Sequence, residues 1–134
     1  MTTAPKPYVF DSDKGLLSVL GQDVGFFQPE TWAELVSKVA EITVKSQSGK
    51  WDRETLCFDS FSTLYDLIMD DVLRYEAPRS GVALAPVAKR RELAEQTDYG
   101  LAHNRLTQLL MTVKRLPVHL IVVCHEQIDT VDIF

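Results

Sequence analysis

Thr55-Leu56-Cys57-Phe58-Asp59-Ser60 is a short apolar run that ends on an acid. Its pattern returns twice. Leu120-Ile121-Val122-Val123-Cys124 runs into His125-Glu126, and Tyr8-Val9-Phe10 runs into the polar turn Asp11-Ser12-Asp13-Lys14-Gly15. β-Branched and aromatic residues bounded by turn formers read as strands. Apolar residues fill both odd and even positions of 120–123, so this strand needs cover on both faces, as in a parallel sheet. Open α/β sheets hold their ligands at the carboxyl ends of such strands.

Helical spacing fills the gaps between the strands. Thr31 and Glu34 have capping-box spacing, and Trp32, Leu35, Val36, Val39 and Ala40 follow at helical intervals, which predicts a helix from Thr31 to about Thr43. Phe61, Leu64, Tyr65, Ile68, Met69 and Val72 mark a second helix. Tyr99, Ala102, Leu106, Leu109, Leu110 and Val113 mark a third, stopped by Pro117. Between these two, Arg74 to Thr97 contains Pro78, Gly81 and Pro86 and reads as a mobile excursion with a short helix near its end. The alternation predicts an α/β fold, with about three parallel strands joined by right-handed crossovers.

A chain of 134 residues suits one domain. Hydrophobic residues make up 46%, enough for a core. The formal net charge of −5 and pI near 5.1 argue against bulk electrostatic capture of nucleic acid and leave room only for a local basic patch. No apolar run approaches the roughly 20 residues of a membrane span. Met1 to Pro7 has no signal-peptide block. Cys57 and Cys124 both lie in apolar runs and read as buried, reduced thiols of a cytoplasmic protein.

Several groups carry chemistry. A strand ending in Asp59-Ser60 suits a hydrated magnesium ion beside phosphates, because a hard cation takes carboxylate oxygens and keeps its waters. The plainer reading is that Asp59 or Ser60 caps the next helix. Asp11 and Asp13 suit a metal or a polarised water, or else an Asx-turn with Gly15. His125, oriented by Glu126, suits a phosphate contact, although a lone His is more often a packing residue; His103 and His119 read as structural. Arg79, Lys89, Arg90 and Arg91 read either as a DNA-phosphate contact or as a solvated helix face balanced by Glu92 and Glu95. The phosphate-binding loop G-x-x-x-x-G-K-S/T is absent. The one Gly-Lys pair, Gly49-Lys50, has Trp51 where the hydroxyl belongs and Val44 where the first Gly belongs.

Four stretches occur in order: Pro5-Lys6-Pro7-Tyr8-Val9-Phe10-Asp11-Ser12-Asp13-Lys14-Gly15, Leu56-Cys57-Phe58-Asp59-Ser60, Asp98-Tyr99-Gly100 and the last strand with His125-Glu126. This order resembles the RecA-like P-loop ATPases of phages and prophages, including the phage single-strand-annealing ATPases. The resemblance implies ATP and magnesium as cofactors, with Asp59 as the magnesium-site acid beside Ser60. It puts Asp13 where the family usually carries a Glu, one methylene longer, that activates the attacking water. His125, followed by Glu126, falls at the strand end that senses the γ-phosphate. The stretch holding Arg79, Lys89, Arg90 and Arg91 falls in a region suited to a DNA-facing loop.

In that family the phosphate loop comes before the Pro-Lys-Pro strand. The chain is therefore expected to be a single truncated ATPase-derived domain over residues 1–134, unable to bind ATP productively or hydrolyse it by itself. The implied setting is DNA recombination, in a phage- or prophage-encoded protein of the bacterial cytoplasm. Helices are expected mainly on one face of the sheet. Val118 to Cys124 is expected at an edge, open to a second copy or a protein partner there or over the uncovered face. Two other functions stay open: a non-enzymatic interaction or inhibitor module on a degenerate P-loop fold, and a metal-dependent nuclease using Asp11, Asp13 and Asp59.

Overall fold

The structure, a computed structural model, describes residues 5–13, 23–76 and 80–125. Its strands are β1 (Pro7–Asp11), β2 (Gly25–Phe27), β3 (Thr55–Asp59) and β4 (His119–Val123), all parallel in the order β2-β1-β3-β4. The helices are α1 (Trp32–Gln47), α2 (Phe61–Asp71), α3 (Ser80–Ala83), α4 (Val87–Arg90) and α5 (Gln96–Lys114). The architecture is α/β, as the alternation of elements predicts, with a partial P-loop-type sheet. It has one strand more than the sequence pattern announces. β2 is three residues long, too short for an alternation to register. Gly25 is needed there because a Cβ would come within 2.6 Å of Tyr8 Cδ2.

Local chemistry sets the helix ends. The Thr31 hydroxyl accepts from the Glu34 amide at 3.2 Å, while the Glu34 carboxylate accepts from the Glu30 amide at 2.8 Å, one residue before the reciprocal partner expected of a capping box. At the other end, Gly49 takes φ of 72° and its amide reaches Ser46 O, while the Lys50 amide reaches Lys45 O. This is a Schellman close. The Gly49-Lys50 pair thus ends α1 ahead of β3, at the opposite end of that strand from Asp59. Ser60 is the N-cap of α2, and Glu95 and Asp98 cap α5 reciprocally.

Pleat alternation sends Phe10, Leu56 and Phe58 to one face of the sheet, where α1, α2 and α5 cover them with Leu35, Ile42, Leu64 and Val113. The Phe10 and Phe58 rings stack at 4.7 Å between the two central strands. Among the described residues, these three long helices lie on this face. On the other face, Val9 and Cys57 have no exposed surface and meet Val24, Ile121 and Val123. The expectation of a bare second face therefore fails at its centre. Burial, and after it the charge of Asp59, pushes the Cys57 thiol up to about 11. Cys124 is exposed just past β4, against the expectation that it is buried, because it lies beyond the strand's last paired residue.

The stretch after α2 is more built than its composition suggests. A π-helical turn (Val72–Glu76), α3, α4 and a 3-10 turn (Arg91–Leu93) occupy it. Val72, Leu73 and Val82 are buried against Ile68, Met69 and Ala102. Arg105 of α5 pairs with Asp71 and, at 3.0 Å, with Glu76. Tyr99 stays 39% exposed, and α5 instead buries Asp98 and Ala102 in its first two turns.

The stacked phenyl pair makes β3 the centre of the core. Phe58→Ala removes a ring that is 1% exposed and is expected to cost about 3–5 kcal/mol in urea unfolding. Val44→Ala, at a side chain 65% exposed, is expected to change stability by less than about 0.5 kcal/mol.

Candidate functional site

β1 and β3 pair in register, with Asp11 opposite Asp59, and Asp59 in turn opposite Val123 of β4. All three strands therefore release the chain at one edge of the sheet. The turn after β1 is stitched to the end of β3. The Asp59 carbonyl accepts from the Ser12 amide at 2.9 Å, the Asp13 amide at 3.3 Å and the Ser12 hydroxyl at 3.2 Å. The Ser12 hydroxyl also lies 3.1 Å from the Ser60 carbonyl. The Asp59–Ser60 peptide is cis. Beyond β4, the His125 amide donates to the Ser62 hydroxyl at 3.1 Å.

This folding brings Asp13, Asp59, Ser60 and His125 together, and gives the three acids different surroundings. Asp11 is 1% exposed and accepts from Gln28 Nε2 at 3.0 Å. Asp13 accepts through Oδ1 from the Thr63 hydroxyl and, at 3.3 Å, from the Ser60 hydroxyl; its Oδ2 meets His125 Nε2 at 3.0 Å. The Thr63 hydroxyl, more than any other group, holds the Asp13 carboxyl below the usual carboxylate range, with the His125 and Ser60 contacts adding to it against the effect of burial. Asp59 receives no side-chain hydrogen bond from any described residue. Burial, then the charges of Asp13 and Asp11, raise its pKa above the ordinary value, and His125 offsets them in part.

The chemistry of this donor set fits a divalent cation at Asp59. Its half-buried carboxylate lacks a side-chain donor among the described residues and is repelled by two neighbouring acids, and an added positive charge would relieve both conditions. The three-acid cluster is not formed. Among the described residues, no three acid, imidazole or thiol side chains are grouped to hold an ion. Asp11 is turned to Gln28, and Asp13 to the hydroxyls and His125.

Not every expected site residue is open to a ligand. Ser60 is fully buried, and its hydroxyl caps the Thr63 amide at 3.4 Å while touching Asp13, so it presents nothing to a ligand. Arg90 leaves the basic group: it is 5% exposed, bonded to Asp70 at 2.7 Å and to the Ala85 carbonyl at 3.0 Å. Lys89 is exposed. Arg79, Glu126 and the Arg91 side chain lie outside the described residues. Gln28, Ser62 and Thr63 are site residues that the sequence did not single out. Thr63, three residues after the Ser60 cap, was the one with a signal in its spacing.

The raised Asp59 pKa has a consequence for stability. The folded protein holds this proton more tightly than the unfolded chain does. The contribution of Asp59 therefore favours folding at low pH and is lost as pH rises from the unfolded value of about 3.9 through the higher folded one. In metal-free buffer at pH 7, Asp59→Asn is expected to raise Tm by about 1–3 °C, with the gain vanishing below about pH 4. A thermal scan across pH reads this directly.

A family model described as an AAA domain matches residues 1–133. No curated protein and no solved structure matches the chain. Among the described residues, no helix is long and apolar enough to cross a membrane. ATP and magnesium are the usual cofactors of the matched family. With the match running over nearly its whole length, the chain belongs to the AAA domain family and carries an ATPase-related core.

Proposed function

We propose that these residues form the metal-holding and phosphate-sensing part of an ATPase core that serves DNA recombination in a phage or prophage, and that they do not hydrolyse ATP by themselves. One observation carries the reading: in-register strands set Asp59, without a side-chain donor among the described residues, at the same end of the sheet as Asp13 and His125. The recombination setting and the phage origin rest on the ordered resemblance of the four sequence stretches.

Asp59 would hold the magnesium ion. That ion, when bound, supplies charge neutralisation for the phosphoryl oxygens. His125 stands one strand away, with an imidazole suited to an anionic oxygen. Phosphoryl transfer depends almost wholly on positioning and charge stabilisation. A cradle of backbone amides with a Lys is the main part of that machinery, and the 134 residues contain no such motif. The cradle must come from other residues for turnover to occur.

A second reading is favoured by the sheet order. β4 is the edge strand among the described residues, and its residues Leu120 to Val123 are only partly buried. An edge of this kind pairs readily with another strand. We therefore also propose that a second copy or a protein partner docks along β4, as a non-catalytic interaction module would.

Titration of 15N-labelled protein with Mg-ATP separates the two readings. The first expects weak binding, in the millimolar range of a site lacking its cradle, with shifts at residues 59–63 and 125 that vanish in Asp59→Ala. It also expects no phosphate release above background. Shifts confined to β4 that grow with protein concentration and ignore Mg-ATP favour the second reading. Rapid hydrolysis by the chain alone contradicts both.

A further inference from the structure

Asp13 occupies the position at which a water-activating carboxylate is expected, yet its surroundings describe another task. Oδ1 is taken by the Thr63 and Ser60 hydroxyls, and Oδ2 by His125 Nε2. Its backbone amide is tied to the Asp59 carbonyl. A general base needs an oxygen free to accept the proton of its water, and hydrogen bonds to the ionised form weaken it as a base. The Asp13 carboxylate is engaged by three side-chain donors. The His125 ring, by contrast, is 61% exposed and its one hydrogen-bond partner among the described residues is Asp13.

An ionised carboxylate only accepts hydrogen bonds, so the ring nitrogen facing it must carry the hydrogen. That nitrogen is Nε2. The contact therefore leaves Nδ1 as the ring atom offered outward. We propose that Asp13 is a positioning residue for His125: pinned by Thr63 and Ser60, it holds the imidazole by Nε2–H and presents Nδ1 to the ligand. The inference deepens the reading of His125 as the phosphate-sensing side chain and rests on that reading for the identity of the ligand as a phosphate group. A phosphate oxygen accepts from Nδ1–H when the ring carries both protons, with Nε2–H still held by Asp13.

The test needs no nucleotide, so it stands apart from the ATPase reading. Long-range proton–nitrogen correlation spectra of 15N-histidine-labelled full chain, at about pH 9 where an ordinary imidazole is neutral, report which ring nitrogen is protonated. Wild-type His125 is expected almost wholly as the Nε2–H tautomer. In Asp13→Asn, the amide oxygen replaces the acceptor for the two hydroxyls, and its NH2 group donates to Nε2. His125 is then expected to switch to the Nδ1–H tautomer. Thr63→Val, which frees Asp13 while preserving side-chain shape, is expected to move the tautomer ratio toward that of a histidine peptide, and it serves if Asp13→Asn does not fold. An Nδ1–H ring in the wild type overturns the inference, as does a tautomer ratio that neither variant changes. With the switch observed, failure of Mg-ATP to perturb His125 would count against the phosphate reading alone.

Discussion

In-register pairing of β1, β3 and β4 sets Asp11 beside Asp59 and Asp59 beside Val123, so the chain leaves all three strands at a common edge. A slip of one residue between β1 and β3 would turn Phe10 or Phe58 away from the helices and undo the core. The stacked rings of Phe10 and Phe58 therefore hold the acids in place from inside the sheet. Packing and site geometry are two results of the same register.

Three carboxylates at that edge have the same chemistry and different fates. Asp11 is buried and bonded to Gln28. Asp13 is tied to two hydroxyls and an imidazole. Asp59 has no side-chain donor among the described residues and feels the charge of both others. Environment has separated a buried acid, an acid tied down by hydrogen bonds and an acid whose pKa is raised.

What the sequence announces and what it hides follow a physical line. Strands β1, β3 and β4 are visible because each has five residues and ends at a polar break. The helices α1, α2 and α5 are visible through their apolar period. β2 is hidden because three residues carry no period, and its place rests on Gly25 slipping under Tyr8. Arg90 looks like surface charge beside Lys89, and becomes interior only because Asp70, on another element, meets it. Thr63 and Gln28 become site residues through partners 50 and 17 positions away. Such contacts are set by topology and leave no mark on a local window of sequence.

The proposed function rests on one carboxylate, Asp59, holding a cation at the carboxyl ends of the strands. Manganese, added as a paramagnetic probe to the 15N-labelled chain, tests this by distance. Amide signals at residues 11–13, 59–63 and 123–125 are expected to broaden first, while those of Thr55, which pairs with Pro7, and His119, which pairs with Thr55, broaden last from the opposite strand ends. Broadening centred on residues 50–55 and 119, or spread evenly over the acidic surface, would contradict it.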